Sequence, residues 1–252
     1  MTFEVAGESY NRFMGRYSLP LAGQLTVWAQ ISAGQRALDV GCGPGVWTAL
    51  LADLLGAENV SAIDPSAPFL EVCREHVPGA DVRQGTADSL PYEDGTFDVA
   101  GANLVVHFMP DPVAGIAEMG RVVREGGRVV ATCWDLAGTR APMAPMWAAL
   151  AEVRPEWPGE AGLPGGHAGE LAGYFRDAGL RDVDDTELTV TVTHSTFDEW
   201  WEPYLHGVGP IGAAIAKLAE PEREALRASC LRRLGDGPFD IAATAYAALG
   251  RV

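Results

Sequence analysis

A glycine-rich turn and a downstream carboxylate are the features of this 252-residue sequence with the clearest chemistry. The turn runs from Gly41 to Gly45, directly after an apolar run that ends at Val40 and directly before apolar residues at helical spacing. Glycines let a backbone turn sharply and approach a ligand closely, and the start of a helix presents free N–H groups. Asp64 ends the next predicted strand, where a carboxylate can accept hydrogen bonds from both hydroxyls of a ribose. The two features together favour a nucleoside-binding site.

The spacing of these glycines differs from the dinucleotide fingerprint Gly-x-Gly-x-x-Gly, because position 46 is valine and the last glycine comes one residue early. The sequence contains no Gly-x-Ser-x-Gly, no His-Glu-x-x-His and no Gly-Lys-Ser/Thr pattern. Lys217 is the only lysine, which excludes a P-loop lysine and argues against Schiff-base catalysis. None of these catalytic patterns therefore offers an alternative to the function indicated by the glycine turn and Asp64.

Composition excludes several classes of partner. Acidic residues outnumber basic ones 34 to 18, and the resulting net charge of −16 repels phosphate backbones, so no nucleic-acid partner is expected. Cys42, Cys73, Cys133 and Cys230 lie far apart without a Cys-x-x-Cys pair, which predicts neither a metal site nor a disulfide framework and fits a reducing cytoplasm. We see no signal-peptide pattern and no apolar run of about 18 residues, so a cytoplasmic protein without a membrane span is expected.

Short β-type runs alternate with helical patterns in the first half of the chain, which predicts a parallel sheet covered by helices on both faces. We expect one helix over about Ser66–Val77, and another capped by Asp111, started by Pro112 and closed by Gly126-Gly127. The predicted strands are Arg36–Val40, Val60–Ile63, Asp81–Gln84, Phe97–Ala102 and Arg128–Cys133. Ligands of such sheets bind at the carboxyl ends of the strands.

The second half begins with a loop-rich stretch over about residues 136–166 and continues with fewer elements. A helix is predicted near His167–Ala178, and strands at Glu187–His194 and Ile241–Tyr246. A helical insertion of about residues 196–236 separates these two strands and includes an amphipathic stretch, Ile211–Leu234. No linker is evident, so residues 1–252 are expected to form one domain, with a helical N-terminal cap (1–33), a ligand-binding core (34–135) and a substrate-side half (136–252).

Five motifs in order resemble those of the class I S-adenosylmethionine-dependent methyltransferases. The resemblance is strongest to the group that includes ubiquinone and menaquinone biosynthesis enzymes and natural-product tailoring enzymes. The motifs are LDVGCGPG (38–45), AIDPS (62–66), GTADSLP (85–91), DGTFD (94–98) and RVVREGG (121–127). The resemblance implies an α/β fold with a Rossmann-like, seven-stranded, mostly parallel sheet, and S-adenosyl-L-methionine as cofactor, with S-adenosyl-L-homocysteine as product.

The same resemblance assigns roles to individual residues. Asp39 and the glycine turn would hold the methionine part of the cofactor, and Asp64 its ribose hydroxyls. Asp88 would accept a hydrogen bond from the adenine amino group, and the Asn103 carbonyl would bind the methionine ammonium. The full set of implied cofactor-binding residues is Tyr10, Asp39, Gly41, Cys42, Gly43, Gly45, Asp64, Pro65, Ala87, Asp88, Ser89 and Asn103.

The acceptor side is less determined by sequence. His107 follows the fourth strand and is a candidate base or substrate contact, with packing as its alternative role. An apolar acceptor pocket is predicted from aromatic and neighbouring residues, although such residues at helical spacing also form plain core. The candidates are Trp134, Met143, Trp147, Trp200, Trp201, Tyr204 and His206. A lid made of the insertion and the first 30 residues would exclude water, which competes as a nucleophile.

We therefore expect in-line methyl transfer to a small, largely apolar or aromatic molecule, with oxygen as the acceptor atom and proximity as the main source of catalysis. One alternative keeps the fold and cofactor but methylates carbon or nitrogen, or catalyses a non-methylating rearrangement. A second alternative is a catalytically silent protein that binds the cofactor. A monomer or a homodimer is expected, without a metal.

Overall fold

The computed structural model describes residues 11–252, and its centre is a seven-stranded sheet. Within the described chain the strand order is β3-β2-β1-β4-β5-β7-β6, and β7 is antiparallel to both of its neighbours. The strands are β1 (Ala37–Val40), β2 (Val60–Asp64), β3 (Asp81–Gln84), β4 (Phe97–Asn103), β5 (Val123–Trp134), β6 (Arg181–His194) and β7 (Phe239–Arg251). This confirms the predicted α/β fold with a mostly parallel sheet.

Helices cover both faces of the sheet, as predicted. Alternate side chains of a strand point to opposite faces, and in β5 Val129 packs with Ile116 and Phe175 whereas Val130 packs with Leu25 and Trp47. The helices are α1 (Arg16–Trp28), α2 (Val46–Leu55), α3 (Ala67–His76), α4 (Pro112–Val122), α5 (Ala144–Val153), α6 (Glu170–Asp177), α7 (Phe197–Trp201), α8 (Gly209–Ile215) and α9 (Glu220–Leu234). In the described part of the chain, no helix is long and apolar enough to cross a membrane.

The start of α4 is predicted correctly and its end is not. The Asp111 side chain accepts a hydrogen bond from the Ala114 N–H at 3.0 Å, and Pro112 is the first helical residue. The helix ends at Val122, and the strand begins at once, so Gly126-Gly127 lies inside β5 and does not close the helix. The register between β4 and β5 shifts at this point, and a Cβ on Gly127 would lie 2.7 Å from the Asp98 carbonyl oxygen. The absence of a side chain at Gly127 therefore allows β4 and β5 to approach closely at this irregularity.

The predicted helical insertion between β6 and β7 consists of α7, α8 and α9. The amphipathic stretch at 211–234 is two helices, and both final strands extend well beyond their predicted limits. The insertion packs on α5 and on the N-terminal segment, where Phe13 meets Tyr204 edge to face at 4.7 Å between ring centroids. Arg16 donates to the Glu199 carboxylate at 2.6 Å, and the Tyr17 hydroxyl lies 2.8 Å from His194 Nε2. These contacts hold the start of α1 beside the insertion.

Candidate active site

A cavity of about 350 Å³ opens at the carboxyl ends of β1, β2, β4 and β5. Its volume lies within the roughly 300–1,000 Å³ typical of small-molecule sites. One side of the wall is polar and includes Asp39, Asp64 and Asn103. A second part of the wall is mainly apolar and is formed by the N-terminal segment, the chain after β5 and the insertion. Its residues include Phe13, Met14, Trp134, Leu136, Met143, Val208 and Ile211.

The glycine turn forms the floor of the polar side. Gly41, Gly43 and Gly45 have φ angles of 74°, 55° and 91°, a region that L side chains rarely adopt. A Cβ on Gly41 would lie 2.5 Å from a methyl group of Val105, and one on Gly45 would lie 2.8 Å from the Cys73 sulfur. Gly41 and Gly43 line the cavity, whereas Gly45 lets α3 approach from behind. Because these residues have no side chain, the turn lines the cavity with backbone alone and keeps the space open for a ligand.

Asp64 lies at the cavity wall and fixes the turn. Its Oδ2 accepts a hydrogen bond from the Gly43 N–H at 2.9 Å, and its Oδ1 accepts one from the Ser66 N–H at 2.8 Å. Burial raises the pKa of this carboxyl, and the two backbone hydrogen bonds lower it. Each carboxylate oxygen can accept a further hydrogen bond. Asp64 can therefore receive two neighbouring hydroxyls while it holds the glycine turn.

Asp39 is 1% exposed and accepts a hydrogen bond from the Thr48 hydroxyl at 2.7 Å. Burial raises its pKa to about 7, opposed by the Thr48 hydrogen bonds and assisted by the nearby charge of Asp64. A cationic group in the cavity would stabilise the ionised form. Asp39 and Asp64 together therefore suit a ligand that carries both a diol and a positive charge.

The chain turns sharply after β4, between Asn103 and His107. The Asn103 Oδ1 accepts a hydrogen bond from the Thr132 hydroxyl at 2.7 Å, and Leu104 has a φ of 64°. Left-handed backbone at a residue other than glycine costs of order 1–3 kcal/mol and clusters at functional sites. The turn brings Asn103, Leu104, Val105 and His107 to the cavity wall.

His107 is 8% exposed and lines the cavity. Its Nδ1 is buried and, among the residues that the structure describes, has no hydrogen-bond partner. Burial lowers the pKa of the imidazole to about 4. The ring is therefore neutral at pH 7 and a weaker base than an ordinary histidine. A neutral imidazole can still donate one hydrogen bond and accept another.

The remaining predicted cofactor residues fall into three groups. Cys42 and Pro65 line the cavity. Ala87, Asp88 and Ser89 lie in the turn after β3 and do not line it. Asp88 is exposed, and a hydrogen bond with Thr86 lowers its pKa. The strand before that turn pairs with β2, with Gln84 opposite Asp64. Tyr10 lies outside the described residues.

The predicted acceptor pocket differs from the structure in its aromatic residues. Trp134 and Met143 line the cavity, and Trp147 lines an adjoining cavity of about 250 Å³. The remaining candidates line neither cavity: Trp200, Trp201 and Tyr204 are buried in the apolar core of the insertion, and His206 is exposed. The rings of α7 turn inward because they pack on Phe197 and Phe239. The insertion reaches the cavity through Val208, Gly209, Pro210 and Ile211 instead.

Sequence reasoning missed Glu160 and the N-terminal contacts Phe13, Met14 and Ser18, all of which line the cavity. Glu160 is 6% exposed and its carboxylate accepts a hydrogen bond from the Trp147 indole N–H. Burial raises its pKa. It lies in a loop between α5 and α6 where no periodic pattern exists, so burial could not be inferred there.

Comparisons with known proteins identify the family and the fold of this chain. The family model described as "Methyltransferase domain" matches residues 38–131. A demethylmenaquinone methyltransferase of Alkalihalophilus pseudofirmus is 32% identical over 179 residues, which cover 62% of this chain and 74% of that protein. The demethylmenaquinone methyltransferase of Shouchella clausii is 38% identical over 106 residues, which cover 40% of this chain and 45% of that protein.

The chain spans less than half the length of the first curated relatives, with matches to 29% and 45% of their lengths. Among solved structures, a putative methyltransferase from an antibiotic biosynthesis pathway of Anabaena variabilis superposes with a TM-score of 0.60 at 18% identity. That superposition covers 91% of this chain and 96% of the other. The similarity of fold therefore extends beyond the matched motifs to the second half of the chain.

Proposed function

This chain belongs to the class I S-adenosylmethionine-dependent methyltransferases, and from that premise we propose that it methylates a small, largely apolar or aromatic acceptor at oxygen. The observation that carries the proposal is one continuous cavity whose wall combines the carboxyl groups of Asp39 and Asp64 with a group of apolar side chains. The polar side suits a charged nucleoside and the apolar side suits the acceptor. The two relatives described above are named for a quinone, which supports an acceptor with an apolar body.

The residues of the polar side fit S-adenosylmethionine, which when bound supplies a methyl group on a positively charged sulfur. Asp64 would accept hydrogen bonds from the ribose hydroxyls, and Gly41 and Gly43 would leave room for the methionine part. Asp39 would ionise in response to the positive charge. The Asn103 carbonyl remains the proposed acceptor for the ammonium group. Asp88 remains the proposed adenine contact, since its turn follows the strand beside Asp64.

The apolar wall would position the acceptor and exclude water. A correctly oriented nucleophile can gain about 7–11 kcal/mol from proximity alone, so no strong base is required by the energetics. The neutral His107 ring would contact the acceptor through the part of the ring that lines the cavity and would help to orient it. Phe13, Met14 and the insertion residues Val208 and Ile211 would complete the lid-like cover over the cavity.

The direct test is mass spectrometry of acceptors incubated with the full chain and S-adenosylmethionine. A panel of phenols, hydroquinones and hydroxylated polyketides should yield at least one product heavier by one CH₂, with an equal amount of S-adenosylhomocysteine. Cofactor binding without any product across the panel would contradict methyl transfer at oxygen and favour the silent cofactor-binding alternative.

The role of His107 has its own test. We expect His107→Gln to bind S-adenosylhomocysteine as the wild type does and to lose at least about tenfold in turnover, because the acceptor loses its orienting contact. His76→Gln is the matched control, since His76 is exposed on α3 away from the cavity. Turnover at the wild-type level in His107→Gln would reject the role.

A further inference from the structure

Glu160 is a buried acidic residue that is not among the residues proposed to bind the cofactor. It lies in the loop after α5, on the acceptor side of the cavity with Trp134 and Met143. Leu136, Met143 and Glu160 also line the adjoining cavity, so Glu160 stands where the two cavities meet. Asp39 and Asp64, the other acidic groups of the wall, lie at the strand ends on the polar side.

Among the described residues, Glu160 is held by a hydrogen bond and forms no ion pair. The Trp147 indole N–H donates a hydrogen bond to Oε2, which fixes the carboxylate against α5. Arg154 also faces the adjoining cavity, but its guanidinium nitrogens lie 3.4 Å from Glu156 and 2.5 Å from Glu222. A buried carboxyl group with no cationic partner among the described residues is costly to the fold, so its place in a ligand cavity makes Glu160 a candidate functional residue.

His107 and Glu160 differ in how well each could accept a proton from a bound molecule. Among the described residues, His107 is the other titratable side chain on the acceptor side, and its ring is neutral with a pKa of about 4. Burial raises the pKa of Glu160, opposed by the Trp147 hydrogen bond. Since the effectiveness of a base follows its pKa, the carboxylate is the stronger proton acceptor of this pair. The surrounding apolar side chains, Leu136 and Met143, restrict the remainder of the acceptor to an apolar body.

We propose that Glu160 is the acceptor-recognition residue of this site, whose carboxylate binds the hydroxyl of an apolar alcohol or phenol and takes its proton during methyl transfer. This inference rests on the proposed function. As the reaction proceeds, the acceptor oxygen gives its proton to Glu160 and its electron pair to the methyl carbon, while the electron pair of the broken carbon–sulfur bond stays on sulfur. The protonated Glu160 then releases the proton to solvent when the product leaves.

The test compares two probes that differ in one donor group, 1-naphthol and 1-methoxynaphthalene. Their affinities are measured by calorimetry for the full chain saturated with S-adenosylhomocysteine, so the readout is binding and not turnover. The wild type should bind 1-naphthol at least about tenfold more tightly, because a hydrogen bond to a buried carboxylate is strong. In Glu160→Gln, which keeps an oxygen for Trp147 but has no charge, the preference should fall below about threefold.

Glu156→Gln is the matched control, because it removes an exposed carboxylate from the same loop and should keep the wild-type preference. Equal affinity of the wild type for the two probes, or binding of neither, overturns the inference without any variant. A preference that persists in Glu160→Gln also overturns it. S-adenosylhomocysteine is titrated first, because its failure to bind the wild type would contradict the proposed function itself.

Discussion

The two sides of the cavity are built in different ways. On the cofactor side, each functional group follows a parallel strand, and hydrogen bonds from neighbouring backbone or side chains fix it, as Gly43 and Ser66 fix Asp64. On the acceptor side, the wall comes from the N-terminal segment, the turn after β4, and the loops and insertion after β5. Its polar groups Ser18, His107 and Glu160 lie among apolar residues. The first side is a rigid polar cradle and the second an apolar chamber with isolated polar contacts.

This difference indicates how the two sides meet different demands. A cofactor of fixed structure needs several fixed acceptors, which strand ends supply at defined spacing. Acceptor molecules vary, and loops between fixed elements change without disturbing the sheet. Changes on the acceptor side should therefore alter stability or acceptor choice, whereas changes on the cofactor side should alter cofactor affinity.

The largest effect is expected from Trp200→Ala, in the core of the insertion. Trp200 is 2% exposed and packs on Phe197, Tyr204 and Phe239, so its loss should lower the free energy of unfolding by about 3–5 kcal/mol. Urea unfolding measures this, and calorimetry on the folded variant should give an unchanged S-adenosylhomocysteine affinity. Val27→Ala, at a residue 79% exposed on α1, is the control and should change stability by less than about 0.5 kcal/mol. A large loss of cofactor affinity in Trp200→Ala would break the comparison.

The next effect is expected from Gly41→Ala, on the cofactor side. The added Cβ would meet Val105 at 2.5 Å and occupy a φ of 74°, so the turn must shift. We expect S-adenosylhomocysteine affinity to fall at least about 100-fold, near 2.7 kcal/mol. Gly173→Ala, in α6 with nothing within 4 Å of its Cβ, should leave affinity unchanged. Wild-type affinity in Gly41→Ala would show that the turn does not form the cofactor cradle.

A smaller effect concerns pH and Asp39. Its folded pKa of about 7 lies above its ordinary value of 3.8, so the folded state holds a proton that the unfolded state has lost. The free energy of unfolding should therefore fall as pH rises from about 4 to about 7. Asp39→Asn, which can still accept from Thr48, should remove part of this fall, by about 1 kcal/mol or more. The measurement is urea unfolding of both proteins across this range, and parallel curves would contradict the assignment.

The positions of the residues proposed to bind the cofactor were easier to predict from sequence, because the signals for the strands and turns that carry them are local. Each of these signals can be recognised within a few residues of sequence. They are the spacing of the glycines, an acidic residue at the end of a strand and the helix start at Asp111-Pro112. The limits of β1 to β4 were predicted to within about one residue for the same reason. The Gly126-Gly127 error arose because a glycine pair marks a helix end or a strand irregularity equally well.

The acceptor side was less predictable because its signals are tertiary. Trp200, Trp201 and Tyr204 were expected at a pocket, yet their rings pack against other aromatic rings in the core. The hydrophobic pattern predicts which residues are buried, but it does not predict which of the buried residues line a cavity. A single carboxylate such as Glu160 in an aperiodic loop carries no sequence signal, because its burial depends on chain segments distant in sequence.

The most direct test of the central claim is a calorimetric titration of the full chain with S-adenosylhomocysteine, repeated on Asp64→Ala. We predict saturable binding at one site in the wild type, and affinity at least about tenfold weaker in Asp64→Ala, near 1.4 kcal/mol, because the ribose contacts and the bond to Gly43 are lost. Asp53→Ala, at an exposed residue on α2, should bind as the wild type does. No binding by the wild type, or equal affinity in Asp64→Ala, would contradict the account.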